Sequence, residues 1–342
     1  MAINLFSGGN TINSLQAAGK NAIINGGMDI WQRGTSIAAS ASTTPYTADR
    51  WQLKNNASQA MTVSRQATSD TTNLPNIQYC ARIQRDSGQT GTTVYYFANQ
   101  FESVNSIPLA GKPVTFSFYA RKGANFSPTS SLIGVTLYGG TGTDQNIITG
   151  AYTGGAVIAT QDLALTTTWQ RFTITATVPT TVTELSVFFA ATPTGTASTN
   201  DYFEVTGVQL ELGTTATTFS RAGGSVPGEL SLCQRYYNTM VSGATNLMVG
   251  IGSFYSSSQL YVGVFFPVSM RIAPSLVATS GTDYYAADRN AGTDLFNSFS
   301  IAYATNETAL IYNLSEISSV AGQAGAARTN NASASIAFNA EI

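Results

Sequence analysis

The sequence predicts an all-β protein: two jelly-roll-like β-sandwich domains, preceded by a short N-terminal arm and joined by a short linker helix. Three observations carry this. Apolar residues recur with period two along much of the chain, the repeat of strands that bury one face. Between those runs lie stretches such as YGGTGTDQN and ATPTGTASTND, rich in Gly, Thr, Asn and Pro, which read as loops. Only 10% of the 342 residues are charged, against about 25% in an average soluble protein. Thr and Ser take their place, as suits exposed strand faces.

Residues 1–20 are small and polar, with Ile3, Leu5, Phe6, Ile12 and Leu15 as isolated apolar anchors. That density is too low for a core, so the segment reads as a docking arm or a frayed end. The first sandwich spans 21–222. Near its start stands INGGMDIWQRGTS, residues 24–36. Read as a strand, it puts Asp29, Trp31 and Arg33 on one face and Met28 and Ile30 on the other. One reading makes Trp31 a sugar-stacking platform flanked by charges. The preferred one is structural: Met28 and Ile30 face the core, Trp31 closes one end of the sandwich, and Asp29 or Asp49 pairs with Arg33 or Arg50. A tryptophan buries about 150–250 Å², and bidentate arginine–carboxylate pairs fix geometry well.

Clear strands follow. PVTFSFYA sets Val114, Phe116, Phe118 and Ala120 on one face and Thr115, Ser117 and Tyr119 on the other. WQRFTITATV turns Phe172, Ile174, Ala176 and Val178 inward, with Arg171 and three threonines opposite. ELSVFFA repeats the pattern with Leu185, Val187 and Phe189. In FEVTGVQLELG the phase slips at Gly207: Phe203 and Val205 precede it at odd positions, Val208, Leu210 and Leu212 follow at even ones. A β-bulge there keeps the apolar side facing the core. Glu211 reads as an outward charge on this last strand, paired with Arg221 or solvated.

RAGGSVPGEL, residues 221–230, is the domain boundary, and residues 223–237 form the linker. Leu230, Cys233 and Tyr237 fall at helical spacing, predicting a short helix there. The distal sandwich spans 238–342. In YVGVFFPV, Val262, Val264, Phe266 and Val268 share a face. At the end Ala332, Ala334, Ile336, Phe338, Ala340 and Ile342 alternate with mostly polar residues, predicting a strand that reaches the last residue.

Composition narrows the chemistry. The chain has no histidine, which removes the commonest general base and the usual zinc ligand. Cys80 and Cys233 lie far apart with no C-x-x-C pair, so buried free thiols are expected rather than a redox or metal motif. A glycoside-cleaving enzyme needs a carboxylate pair at defined spacing, and none stands out among Asp86, Asp201 and Glu204. Calcium is conceivable at Asp144 or Asp288, but no loop has EF-hand spacing. No enzyme activity, cofactor or metal is expected. A net charge of -2 gives no field for nucleic acid. No stretch has the roughly 20 apolar residues of a membrane span. MAINLFSGGNTINSL lacks the basic and apolar regions of a signal peptide.

The strings NAIINGGMDIWQRGTS, YTADRW (46–51, ending in Trp51), VQLELGTTATTFSR (208–221), ELSLCQRYYN (229–238) and FPVSMRIAPSLV (266–277) occur in that order. Together they resemble a common type of bacteriophage tail-fibre and virion-surface protein. In that family the first domain is similar to a jelly-roll carbohydrate-binding module, and TWQRFTITATVP with DYFEVTGVQLELG resembles the module's closing strands. The resemblance implies a fibre, spike or decoration protein, usually a homotrimer. It also implies that Asp29, Trp31, Arg33, Asp49, Arg50 and Trp51 are framework residues. Synthesis in the host cytoplasm and release by lysis would reconcile a surface-type composition with the lack of a signal peptide. The expected function is a tail fibre or related adhesin that engages a host-surface glycan. It would attach to other virion proteins through residues 1–20 and the first domain, with three copies meeting through apolar faces of the distal domain. The alternatives are a capsid decoration or head fibre, a polysaccharide depolymerase, and a non-viral surface lectin. Within the distal domain, GTDYYAADRN offers Asp283, Tyr284 and Tyr285 as a receptor-contact loop, since tyrosine gives large contact area at low entropy cost. Loop packing or a trimer contact is the alternative there.

Overall fold

The computed structural model describes residues 19–56, 59–290 and 292–342. The predicted docking arm therefore falls almost wholly outside the described residues. The rest is nearly all β, as the alternation predicts.

The first domain contains β1 (Ser36–Ala39), β2 (Trp51–Asn55), β3 (Met61–Ala67), β4 (Tyr79–Arg85), β5 (Tyr95–Gln100), β6 (Pro113–Lys122), β7 (Leu132–Gly140), β8 (Ala156–Ala164), β9 (Gln170–Thr177), β10 (Glu184–Ala191) and β11 (Tyr202–Leu212). A single helical turn, α1 (Ser103–Ser106), follows β5. The strands form two antiparallel sheets, ordered β1-β3-β4-β11-β6-β9 and β2-β5-β10-β7-β8. Their inner faces meet in one core. Phe116, Phe118, Val205 and Leu210 from the larger sheet face Trp51, Phe97, Val187 and Phe189 from the smaller. Trp51 stacks on Phe97 at 4.8 Å, and Phe118 meets Phe189 edge-on at 4.9 Å. Such pairs add to what area burial alone supplies.

The bulge occurs where the phase slip predicts it. Pairing of β11 with β6 shifts register between Thr206 and Gln209, and Gly207 takes φ +57°. Val205 and Val208 are both fully buried as a result. Leu212 departs from the prediction: it lies past the end of the core, 53% exposed.

Residues 24–35 are not a strand; β1 begins only at Ser36. Asn25 and Met28 adopt φ of 58° and 56°, and the chain doubles back on itself. The Asn25 side chain holds the turn: its Oδ1 accepts from Ile30 N, and its Nδ2 donates to the Ile30 and Asp49 carbonyls. The turn plugs one end of the sandwich, with Met28, Ile30 and Trp31 buried. Trp31 Nε1 donates to the Met28 carbonyl at 2.9 Å.

The helix α2 (Val226–Gln234) opens earlier than the residue spacing suggests. Ser225 caps it, its Oγ accepting from Gly228 N at 3.2 Å, and Pro227 suits the first turn. Tyr237, expected on the helix, instead begins a strand.

The distal domain contains β12 (Tyr237–Ser242), β13 (Met248–Phe254), β14 (Leu260–Phe265), β15 (Ser275–Ala278), β16 (Tyr285–Arg289), β17 (Gly292–Phe296), β18 (Ser300–Ala304), β19 (Thr308–Tyr312), β20 (Ala324–Thr329) and β21 (Ser335–Asn339). A three-stranded sheet, β12-β21-β15, packs on a seven-stranded one, β17-β16-β20-β13-β14-β19-β18. Val262, Val264, Ile336 and Phe338 share its core. The last strand ends at Asn339, not at the terminus. Glu341 and Ile342 leave the sheet because they bind the first domain.

Candidate functional site

The charged residues singled out in the sequence are brought together, but in other pairs than expected. Asp29 accepts from Arg221 through both oxygens, at 2.7 and 3.2 Å, and neither Arg33 nor Arg50 is its partner. Arg33 and Arg50 both reach Glu341 of the distal domain. Arg50 is 1% exposed. Its guanidinium also donates to the Gln100 carbonyl and lies 3.6 Å from the Tyr236 ring centroid. Arg33 lies 3.5 Å from the Tyr237 ring centroid and 5.0 Å from that of Tyr46. Sequence separation of roughly 300 residues hid Glu341 as the partner.

Asp49 binds its neighbour Gln32 instead of an arginine. Its Oδ1 accepts from Gln32 N at 2.9 Å and its Oδ2 from the Gln32 side chain. Burial pushes its pKa up from 3.8 to about 6, against the pull of Arg33 and Gln32. Burial, aided by Glu341, likewise pushes Tyr46 up to about 12. Gln32 then reaches across, accepting from Thr239 N at 3.1 Å. Arg235–Glu102 and Arg271–Asp144 pairs add to this seam. These residues form a joint between the domains.

Glu211 is 3% exposed, contrary to the outward placement expected. It accepts from Thr217 N at 2.8 Å and from the Gln209 amide at 2.7 Å. Arg221 is taken by Asp29, so Lys20 at 3.7 Å is the cation beside Glu211.

The DYY loop separates by burial. Asp283 is exposed at φ +58° and Tyr284 is half-buried. Tyr285 is fully buried, contrary to a receptor role. Its hydroxyl donates to the Thr279 carbonyl at 2.8 Å and lies 3.0 Å from that of Ser335, and its ring stacks on Phe296. Tyr284, just before β16, packs partly buried against the same core.

The carboxylates weighed for catalysis are occupied. Asp201 and Arg85, both fully buried, pair at 2.7 Å. Glu204 lies between Arg82 and Arg121, and Asp86 accepts from Thr62 at 2.9 Å. Both cysteines are free and buried. Among the described residues, no cluster of three or more Asp, Glu or Cys side chains is placed to hold a metal ion. No described helix is long and apolar enough to cross a membrane.

A different surface has the makings of a binding site. On β5, β10 and β7, the residues that alternate with the core point outward: Tyr96, Phe188 and Tyr138. Phe188 packs edge-on against Tyr96, with centroids 5.7 Å apart, and lies 6.1 Å from Tyr138. All three rings are half-buried. The loop between β7 and β8 folds over the rest of this face. It is pinned where Ile147 N donates to Gln100 Oε1 at 3.0 Å and Asn146 Nδ2 to Gln52 Oε1 at 3.2 Å. Ile147 and Ile148 wall the aromatic floor, and Lys54 and Asn56 rim it, enclosing a cleft of about 220 Å³. Rings set in a shallow cleft, with an ammonium and an amide at the edge, suit the C–H faces and hydroxyls of a sugar. Phe188 lies in ELSVFFA on the face opposite Leu185, Val187 and Phe189, where the period-two pattern alone gives it no partner on a neighbouring strand.

No family model matches the chain, and no curated protein matches it. Solved structures do resemble it. A CBM4 structure is 18% identical, covering 56% of this chain and 99% of that one, with a TM-score of 0.32. The C-terminal family 22 carbohydrate binding module of Clostridium thermocellum Xyn10B is 13% identical over 52% of this chain and 99% of that one, with a TM-score of 0.29. The enzymatically active domain of bacteriophage CBA120 tailspike protein 4 is 11% identical over 56% of this chain, but 21% of its own length, with a TM-score of 0.33.

Proposed function

We propose that the chain is a non-enzymatic glycan-binding protein of a bacteriophage particle, a tail fibre or related adhesin assembled as a homotrimer. The observation that carries the glycan reading is the Tyr96–Phe188–Tyr138 floor with Lys54 and Asn56 at its rim. The ordered sequence strings that resemble phage fibre proteins support the virion address. Engaged acids support the absence of turnover: Asp201 and Glu204 are each fixed by arginine.

Glycan-array binding by the full chain tests the site. Phe188→Ala should weaken retention by about tenfold or more, the equivalent of one lost stacking contact. Tyr96→Phe, which keeps the ring, should retain most binding. Equal binding by the wild type and Phe188→Ala would overturn the site. Antibody labelling of whole particles tests the address, with signal expected at the tail. Purified protein spotted on a host lawn should leave no halo.

A further inference from the structure

The seven-stranded sheet of the distal domain has an outer face that the core does not use. Val262 and Val264 of β14 point inward, so Tyr261, Gly263 and Phe265 point outward. By the same alternation Leu310 and Tyr312 of β19 point outward, and Tyr303 of β18 sits opposite Leu310. Ile251 joins them from β13. Among the described residues, four of the five most exposed large apolar side chains share this face: Phe265 at 82%, Tyr303 at 76%, Tyr255 at 69% and Ile251 at 68%. Tyr255, Tyr261 and Tyr312 run across one end as a ladder, with centroids 4.9 and 5.2 Å apart. At the other end Phe265, Tyr303 and Leu310 border a hollow of about 370 Å³ over Gly263, where an added Cβ would meet nothing.

We infer that this face, centred on β13, β14, β19 and β18, is where the chain meets a second copy of itself. The claim deepens the homotrimer reading above and leaves the glycan cleft untouched. Charge decides the partner. MVGIGSF, LYVGVF, SIAYA and TALIY contain no Asp, Glu, Lys, Arg, Asn or Gln. A sugar would find rings here but no amide or carboxylate to read its hydroxyls. The other half of the same sheet does carry charge, in the pairs Arg289–Asp294 and Arg328–Asp288. An uncharged, ring-bearing surface with an open hollow complements another surface of the same kind. Area agrees. At about 150–250 Å² per ring, the three most exposed rings alone offer on the order of 400 Å². A standard interface takes about 800 Å² from each partner, and Ile251, Leu310 and Tyr312 extend the patch toward that figure. Contiguous exposed apolar patches of more than a few hundred Å² mark interaction sites.

Sedimentation velocity on the full chain, from about 1 to about 100 μM, tests the inference. The wild type should sediment as an oligomer. The double variant Phe265→Glu/Tyr303→Glu should dissociate at least roughly 30-fold more readily, as for the loss of a hot spot. Val104→Glu, at a side chain 64% exposed on the first domain, should assemble as the wild type does. A wild-type monomer at the highest concentration, or a double variant that assembles normally, would overturn the claim. Hydroxyl-radical footprinting of the wild type covers a variant that fails to fold: Phe265 and Tyr303 should be protected in the assembled sample, and free labelling there would refute it. Glycan retention measured on the same samples reports separately on the cleft. Loss of assembly with retained binding is the expected pattern for the double variant.

Discussion

Asp49 is 1% exposed and has no arginine in direct contact; its bonds come from the main chain and side chain of Gln32. Burial therefore outweighs the pull of Arg33, and the carboxyl keeps its proton up to about pH 6 rather than 3.8. The sign follows from proton counting. Between those values the folded chain binds a proton that the unfolded chain has released, so this residue's contribution to stability is full below 3.8 and falls as pH rises through 6. The loss is on the order of 2–3 kcal/mol. Denaturant titrations at intervals between about pH 4 and pH 7 should show this fall in the wild type. Asp49→Asn, which cannot ionise, should show a flatter profile. Parallel profiles for the two proteins would contradict the assignment. Glu184 and Glu229 are also pushed upward by burial, but they are present in both proteins and cancel in the comparison.

At the scale of the element, the bulge on β11 is the most constrained feature. Gly207 has φ +57°, and a Cβ there would lie 2.7 Å from Ile77 and 2.9 Å from the Tyr119 ring. Gly207→Ala should destabilise the first domain by about 1–3 kcal/mol, from backbone strain and this crowding. A thermal melt that shifts by less than a degree would show that the strand tolerates another geometry. This bulge was legible because a period-two pattern leaves one way to keep both halves facing the core. The strands Pro113–Lys122, Gln170–Thr177 and Glu184–Ala191 were legible for the same reason. Residues 24–35 were not, because Asn25 and Met28 in the left-handed region break any periodicity, and what holds them is an amide bonding to Asp49, 24 residues away. The aromatic cleft was hidden for a related reason. Tyr96 and Phe188 alternate with core residues and look like the polar-face positions of their strands, until the sheet order puts β5, β10 and β7 side by side.

The whole molecule depends on a joint that neither domain could form alone. Glu341, the penultimate residue of the sequence, sits between Arg33 and Arg50 of the first domain. Tyr236 and Tyr237 lie against those two guanidiniums, and the Asn146 amide donates to the Ile342 carbonyl at 2.8 Å. Arg50 has almost no access to water, so removing its carboxylate leaves a buried charge with one carbonyl and one ring for compensation. Breaking a buried pair from one side typically costs about 3–5 kcal/mol. That loss falls on the coupling between the domains more than on either core, because the two hydrophobic clusters share no residue. Calorimetry of the wild type should show one cooperative transition. Glu341→Ala should split it into two, with the distal domain melting apart from the first, while Glu341→Gln, which keeps some hydrogen bonding, should fall between. A single unshifted transition in Glu341→Ala would mean that the remaining seam, Arg235–Glu102, Arg271–Asp144 and the Gln32 bridge, is enough to make the two sandwiches one cooperative unit.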